Sequence, residues 1–189
     1  MRTGSVTRST VWAVCLFLLG NLILPSTSTA RTAKEIDTNV NGALDQFIKQ
    51  VKGSKEFLQD AKGVLVFPGV IQAGLGVGGE YGEGALRIRG KTVTYYSIAS
   101  GSIGLQFGAQ KKDIILVFLQ TKALQEFQAK DGWEAGVDGS VVLVDLGAQA
   151  SIDTTKFNQP IVGFVVGQQG LMYNLTLKGS KISKMKIQK

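Results

Sequence analysis

The stretch GLGVGGEYGEG, Gly74 to Gly84, holds six glycines in eleven residues, and it restricts the fold more than any other segment. A helix through it would lose about 1 kcal/mol per glycine relative to alanine. Glycines at this density belong in turns, in bent strands, or where another backbone comes close. Gly74, Gly76 and Gly79 also fit G-x-G-x-x-G, the dinucleotide fingerprint, and an apolar run, GVLVFPGV, precedes them. That motif must open a helix and be followed about 20 residues later by an acidic residue for the ribose. Here Gly82 and Gly84 break any helix, ALRIRG alternates with period two, and SIASGS stands where the carboxylate should be. The context fails, and no nucleotide is expected as a partner.

Strand patterns dominate from Gly63 onward. GVLVFP reads as a short buried strand, and ALRIRG sets Leu86 and Ile88 against Arg87 and Arg89, as in a strand with one wet face. KTVTYYSIAS and GSIGLQFGAQ are further candidates, and DIILVFL is a continuous apolar run of the kind found in a central strand buried on both faces. GSVVLVDLGAQASI, IVGFVVG, LMYNLTLKG and KISKMKI follow, with GQQG as a hairpin turn. GSIGLQFGAQ and GSVVLVDLGAQ share their ends, which fits either a duplicated strand unit or chance among glycine-rich strands.

Three segments have helical period instead. From Ala33 to Val51 the apolar residues Ile36, Val40, Leu44, Phe47, Ile48 and Val51 share one face. Ser54 is an N-cap candidate for a short helix to Lys62, with Phe57, Leu58 and Ala61 inward. Thr121 can cap KALQEF, with Ala123, Leu124 and Phe127 on one side. The first helix either packs on the sheet or lies on a membrane, and its mixed acidic and basic polar face favours the sheet. The expectation is a single α+β domain with a mostly antiparallel, curved or barrel-like sheet, two N-terminal helices and one inserted helix.

Residues 1–30 read differently. Arg2 and Arg8 precede the uncharged run VWAVCLFLLGNLIL, Pro25 ends it, and Ser28-Thr29-Ala30 fits small-x-small before a cleavage site. The run is shorter than the roughly 20 residues of a spanning helix. A signal peptide over 1–30 and a domain over 31–189 are expected, an uncleaved anchor being the alternative. Export to the periplasm, with peripheral membrane association, follows as the expected location.

The chain has no histidine, and its one cysteine, Cys15, lies in the leader. Histidine-based acid–base chemistry, thiolate nucleophiles and zinc–cysteine sites are thereby excluded. Glu80 and Glu83, three apart on a strand, would point to opposite faces and do not form a hydrolase pair; they read as turn and edge charges. The acidic residues lack the spacing of a calcium loop. Ser183 and Lys186 match S-x-x-K only formally, and Asn174-Leu175-Thr176 is an isolated sequon. No enzyme activity, cofactor or metal is expected.

The basic residues are the stronger lead. The formal net charge of +7 becomes +5 without Arg2 and Arg8, and no acid follows Asp153, whereas six lysines do. Arg87, Arg89 and Lys91 form a candidate cationic row on one strand face, and Lys111 and Lys112 sit at the turn before DIILVFL. For an exported protein the anions at hand are phospholipid head groups and glycans rather than nucleic acid. Each Lys or Arg near an anionic bilayer contributes about 1 kcal/mol. The bland alternative is a solvated strand face.

The run from Ala61 to Leu119 contains FP, then AG-x-G-x-GGEYG-x-G, then YYSIASGS-x-G-x-Q-x-GAQ. This order resembles the SYLF domain family. The resemblance implies a lipid-binding module: eukaryotic relatives bind phosphoinositides, some fungal ones bind actin, and bacterial members are exported stand-alone domains. Gln72 stands where the family pattern often has a basic residue. The expected function is non-enzymatic binding of anionic phospholipid or membrane surfaces through Arg87, Arg89, Lys91, Lys111 and Lys112. A periplasmic structural or protein-interaction domain is the alternative.

Overall fold

The computed structural model describes residues 31–144, 152, 158–170 and 177–187. The expected leader, the Asn174 sequon, half of the strand candidate GSVVLVDLGAQASI and most of LMYNLTLKG lie outside them. The unit Arg31–Lys189 is compact. Its elements in chain order are α1 (Ala33–Gln50), α2 (Ser54–Asp60), β1 (Gly63–Ile88), β2 (Lys91–Phe118), α3 (Thr121–Ala129), β3 (Trp133–Glu134), β4 (Val142–Val144), β5 (Ile161–Gly170) and β6 (Lys181–Lys184).

Both helix starts in the N-terminal region show how the chain satisfies its free N–H groups. Thr32 caps α1 in a capping box: its hydroxyl accepts from the Glu35 N–H, and the Glu35 carboxylate accepts from the Thr32 N–H at 2.8 Å. These hydrogen bonds hold the Glu35 carboxyl below its ordinary pKa. At α2 the cap is Gly53, with φ of 83°, and not Ser54. Ser54 is instead buried, its hydroxyl donating to the Val51 carbonyl at 2.6 Å. α3 likewise begins after Gln120 without a side-chain cap, so Thr121 is its first residue rather than its cap.

The glycine-rich region corrects the expectation of several short strands. β1 and β2 form one antiparallel hairpin whose pairing runs from Gly63↔Phe118 to Ile88↔Lys91, with three register shifts. The glycines do not end the strand; they let it fold over. A Cβ on Gly74 would lie 2.7 Å from the Gly78 Cα, although residues four apart in an extended strand are about 13 Å apart. Beyond this kink the ribbon returns onto itself. A Cβ on Gly82 would meet Val70 Cγ2 at 2.7 Å, and one on Gly84 would collide with the Val66 carbonyl oxygen. Glycine is there because a second stretch of the same ribbon occupies the space.

β2 is the central strand. β1 lines one side of it, while β6 pairs with Tyr96–Ala99 and β5 with Gln110–Phe118 on the other. β3 adds to β6 and β4 to β5; among the described strand pairs only β4–β5 is parallel, and an isolated bridge between Ala135 and Gly139 is parallel too. GQQG is not a hairpin turn. It lies in β5, where one extra residue at the register shift and Gly167 at φ of 64° make a bulge.

The period-two pattern divides two cores. On β2, Ile114, Leu116 and Phe118 enter the core inside the curl, with Leu65, Phe67, Phe127 and Trp133. Ile115 and Val117 enter the core beneath the helices, with Ile36, Val40, Phe47, Phe57 and Phe164. All five of these β2 residues have no exposed surface, so DIILVFL is the doubly buried central strand its sequence implies. Each such side chain contributes about 1.5–3 kcal/mol by burial. α1 therefore packs on the sheet; Phe47 meets Phe164 at a ring distance of 4.8 Å.

Candidate functional site

The hairpin takes the five predicted cations to different environments instead of one row. Arg87 is on the face that α1 covers. Its guanidinium donates to Asn41 Oδ1 at 2.5 Å and to the Asp37 carbonyl at 3.3 Å, and stands 3.6 Å from Asp37 Oδ1. Asp37 also accepts from Thr92 at 2.6 Å and from the Tyr95 hydroxyl at 2.9 Å. Burial, then the bond to Asp37, push the Tyr95 phenol above its ordinary pKa. Arg87 thus ties the hairpin to α1, and the wet strand face expected from ALRIRG is the helix-docking face.

Lys112 departs furthest from the expectation. It is in mid-strand rather than at a turn, its side chain is 2% exposed, and its ammonium pairs with Glu80 Oε2 at 2.6 Å. It also donates to Gln72 Oε1 at 3.2 Å, which accepts from Gln110 at 2.6 Å. This cluster bridges two stretches of the folded ribbon. Glu80 is correspondingly buried, as is Glu83, which accepts from the Tyr81 hydroxyl at 2.9 Å and the Arg31 N–H at 3.4 Å. Neither carboxylate is a turn or edge charge.

Lys111, Arg89 and Lys91 are exposed, and among the described residues they make no ion pair. Lys111 lies over Gly69, its Cε 2.8 Å from where a Cβ would be, and lines a cleft of about 180 Å³ with Arg31, Asn39, Pro68 and Asp113. Arg89 and Gly90 form the two-residue hairpin turn, both with positive φ (52° and 77°). That is the type I′ pattern, in which Asn-Gly is favoured. Arg89 is the one non-glycine residue with positive φ among those described.

Beside this turn is a groove of about 340 Å³. Leu44, Leu58, Ala61 and Val64 form its apolar wall, and Arg87 and Arg89 stand along it. Sequence reasoning missed this groove because its walls come from α1, α2 and the hairpin turn, brought together only by the curl. The turn itself had a signal: a glycine as second residue of a two-residue link between alternating segments.

The fold is that of a small α+β domain, built on one folded-over hairpin with α1 and α2 docked on its outer face. Residues 99–187, just under half of the chain, match the family model described as Ysc84: Las17-binding protein actin regulator. Over these residues the chain is similar to the SYLF domain family, the same family that the Ala61–Leu119 motifs resemble. No curated protein matches the chain.

Proposed function

We propose that the domain binds anionic phospholipid surfaces, without catalysing a reaction, through Arg89, Lys91 and Lys111. The observation that carries this reading is the Arg89 turn. A non-glycine residue in the left-handed region costs about 1–2 kcal/mol, and here that position presents a guanidinium to solvent next to an apolar groove. Strain at an exposed cationic position is a pointer to function. The family's lipid-binding character agrees with it. Arg87 and Lys112 act as internal ties, so the working cations are three of the five.

Vesicle sedimentation at low and high salt, with neutral and anionic lipid, tests the reading. Binding should require anionic lipid and weaken with salt. Arg89→Asn should weaken it about fivefold while stabilising the fold, because asparagine suits the left-handed turn position. Binding indifferent to lipid charge and salt would refute the proposal. The family description names a protein partner, which favours a protein-interaction domain as the second reading; that reading predicts no vesicle binding at all. Export through the 1–30 leader belongs to the same proposal, and fits a phospholipid surface as the anion available. N-terminal sequencing of the secreted protein checks the leader, with Arg31 as the expected first residue.

A further inference from the structure

The hairpin has a second surface, distinct from the Arg89 turn. Past the start of α1, the outward face of the ribbon carries no helix among the described elements. Burial alternates there: Gln72, Glu80 and Gly82 are buried, while Ile71, Ala73, Val77, Gly79 and Tyr81 are exposed. Val77 is 69% exposed, Ile71 54% and Tyr81 51%. Across the ladder, Ala73 faces Ala109 and Tyr81 faces Ala99, both also exposed, so apolar character extends over both strands. Of the nearby acids, Glu83 is buried and partnered by Tyr81 and Arg31, Asp113 accepts from the Gly69 N–H, and Glu35 is engaged in the α1 capping box.

Cations border this face. Lys111 pairs in register with Ile71, and Arg31 shares the small cleft with Lys111. Exposed Lys34 lines a second cleft with Arg31 on the first turn of α1. An apolar centre with a tyrosine and a basic border is the chemistry of a surface that enters the head-group region of an anionic bilayer. The apolar side chains reach the acyl boundary, the phenol stays at the interface, and the cations meet phosphates.

We infer that this bare ribbon face, centred on Ile71, Val77 and Tyr81, is the part of the domain that inserts into the interface of an anionic membrane. The inference rests on the lipid-surface reading and gives it a depth component: charge attracts the domain, and the ribbon anchors it. Lys111 belongs to both surfaces.

The unit Arg31–Lys189 contains both cores and is the form to test. Its one tryptophan, Trp133, is 2% exposed, so a Val77→Trp indole reports separately. On vesicles of mixed neutral and anionic phospholipid, this indole should shift to the blue and be quenched by brominated acyl chains. Val137→Trp, at an equally exposed position in the loop after β3, should show neither. Val77→Asp should weaken binding at high salt about tenfold with unchanged thermal unfolding. Sedimentation with anionic vesicles but an unshifted Val77→Trp indole overturns this inference and leaves the lipid-surface reading standing. Absence of any sedimentation overturns both. A lipid-free dimer that Val77→Asp converts to monomer shows that a second copy covers the ribbon, and also overturns the inference.

Discussion

One ribbon is treated in two opposite ways along its length. At its base, Leu65 to Phe67 and Ile114 to Phe118 are buried on both faces, one by the helices and the other by the curl. Past the start of α1, the inward face still buries Gln72, Glu80 and Lys112, but the outward face exposes Ile71, Val77 and Tyr81. The adjacent residues Lys111 and Lys112 condense the difference: one in solvent, the other 2% exposed and paired with Glu80. The same alternation of side chains yields a core where a layer covers it and a docking surface where none does.

The sharpest way to break this comparison is to break the fold-over. Gly84→Val should destabilise the domain by about 3 kcal/mol or more, because the added Cβ meets backbone, the Val66 carbonyl, which cannot rotate away. Gly101→Ala, where nothing lies within 4 Å, should change stability by less than about 1 kcal/mol. Denaturant unfolding of both variants measures this, and equal effects would mean that the ribbon does not return onto itself.

Next in size is the lysine pair. Lys112→Met should cost about 3–5 kcal/mol by leaving Glu80 buried without its partner. Adding Glu80→Gln should recover much of that loss, whereas Lys111→Met should leave stability within about 0.5 kcal/mol. If Lys111 and Lys112 prove equally dispensable, the assignment of one to the surface and one to the interior is wrong.

Asp37→Asn probes the seam between ribbon and α1. It removes the ion pair with Arg87 and weakens the bonds from Thr92 and Tyr95. Partial exposure of the carboxylate screens the pair, so a loss of about 1 kcal/mol is expected by thermal unfolding.

The smallest effect concerns alkaline pH. Burial is the first cause that raises the phenol pKa of Tyr81, Tyr95 and Tyr96 above the ordinary 10.0. Folding then favours the neutral phenol. The stability from these groups is fully present below pH 10 and is lost as pH rises through the higher folded values. A spectrophotometric tyrosinate titration of the folded protein should lie above that of the denatured chain.

Much of the fold was legible in local pattern. The apolar period of Ile36, Val40 and Phe47 marked the α1 face, and the unbroken DIILVFL marked the strand with two covered sides. Those signals are local because each residue's environment follows from its own element. Ile48 shows the limit: it shares the apolar pattern of α1 yet is 40% exposed, while Ala43 is buried in its place. Of the candidate site, the cationic residue types were visible but their partners were not. Arg87 meets Asp37 and Asn41 from 50 and 46 residues away, and Lys112 meets Gln72 from 40. Nothing in a window around Lys112 distinguishes it from Lys111.

Local pattern in the chain settles that GLGVGGEYGEG is not a helix, that strands follow it, and that histidine chemistry has no place here. These are consequences of composition and of period, which need no knowledge of distant residues. Long-range packing is what makes the glycines fold one ribbon onto itself instead of separating strands. It likewise decided that Lys112 is an internal tie, that Arg89 is the tip of a strained turn, and that Ile71, Val77 and Tyr81 remain uncovered. Each of these depends on which segment comes to lie across the chain, and that is set by the curl of the whole sheet.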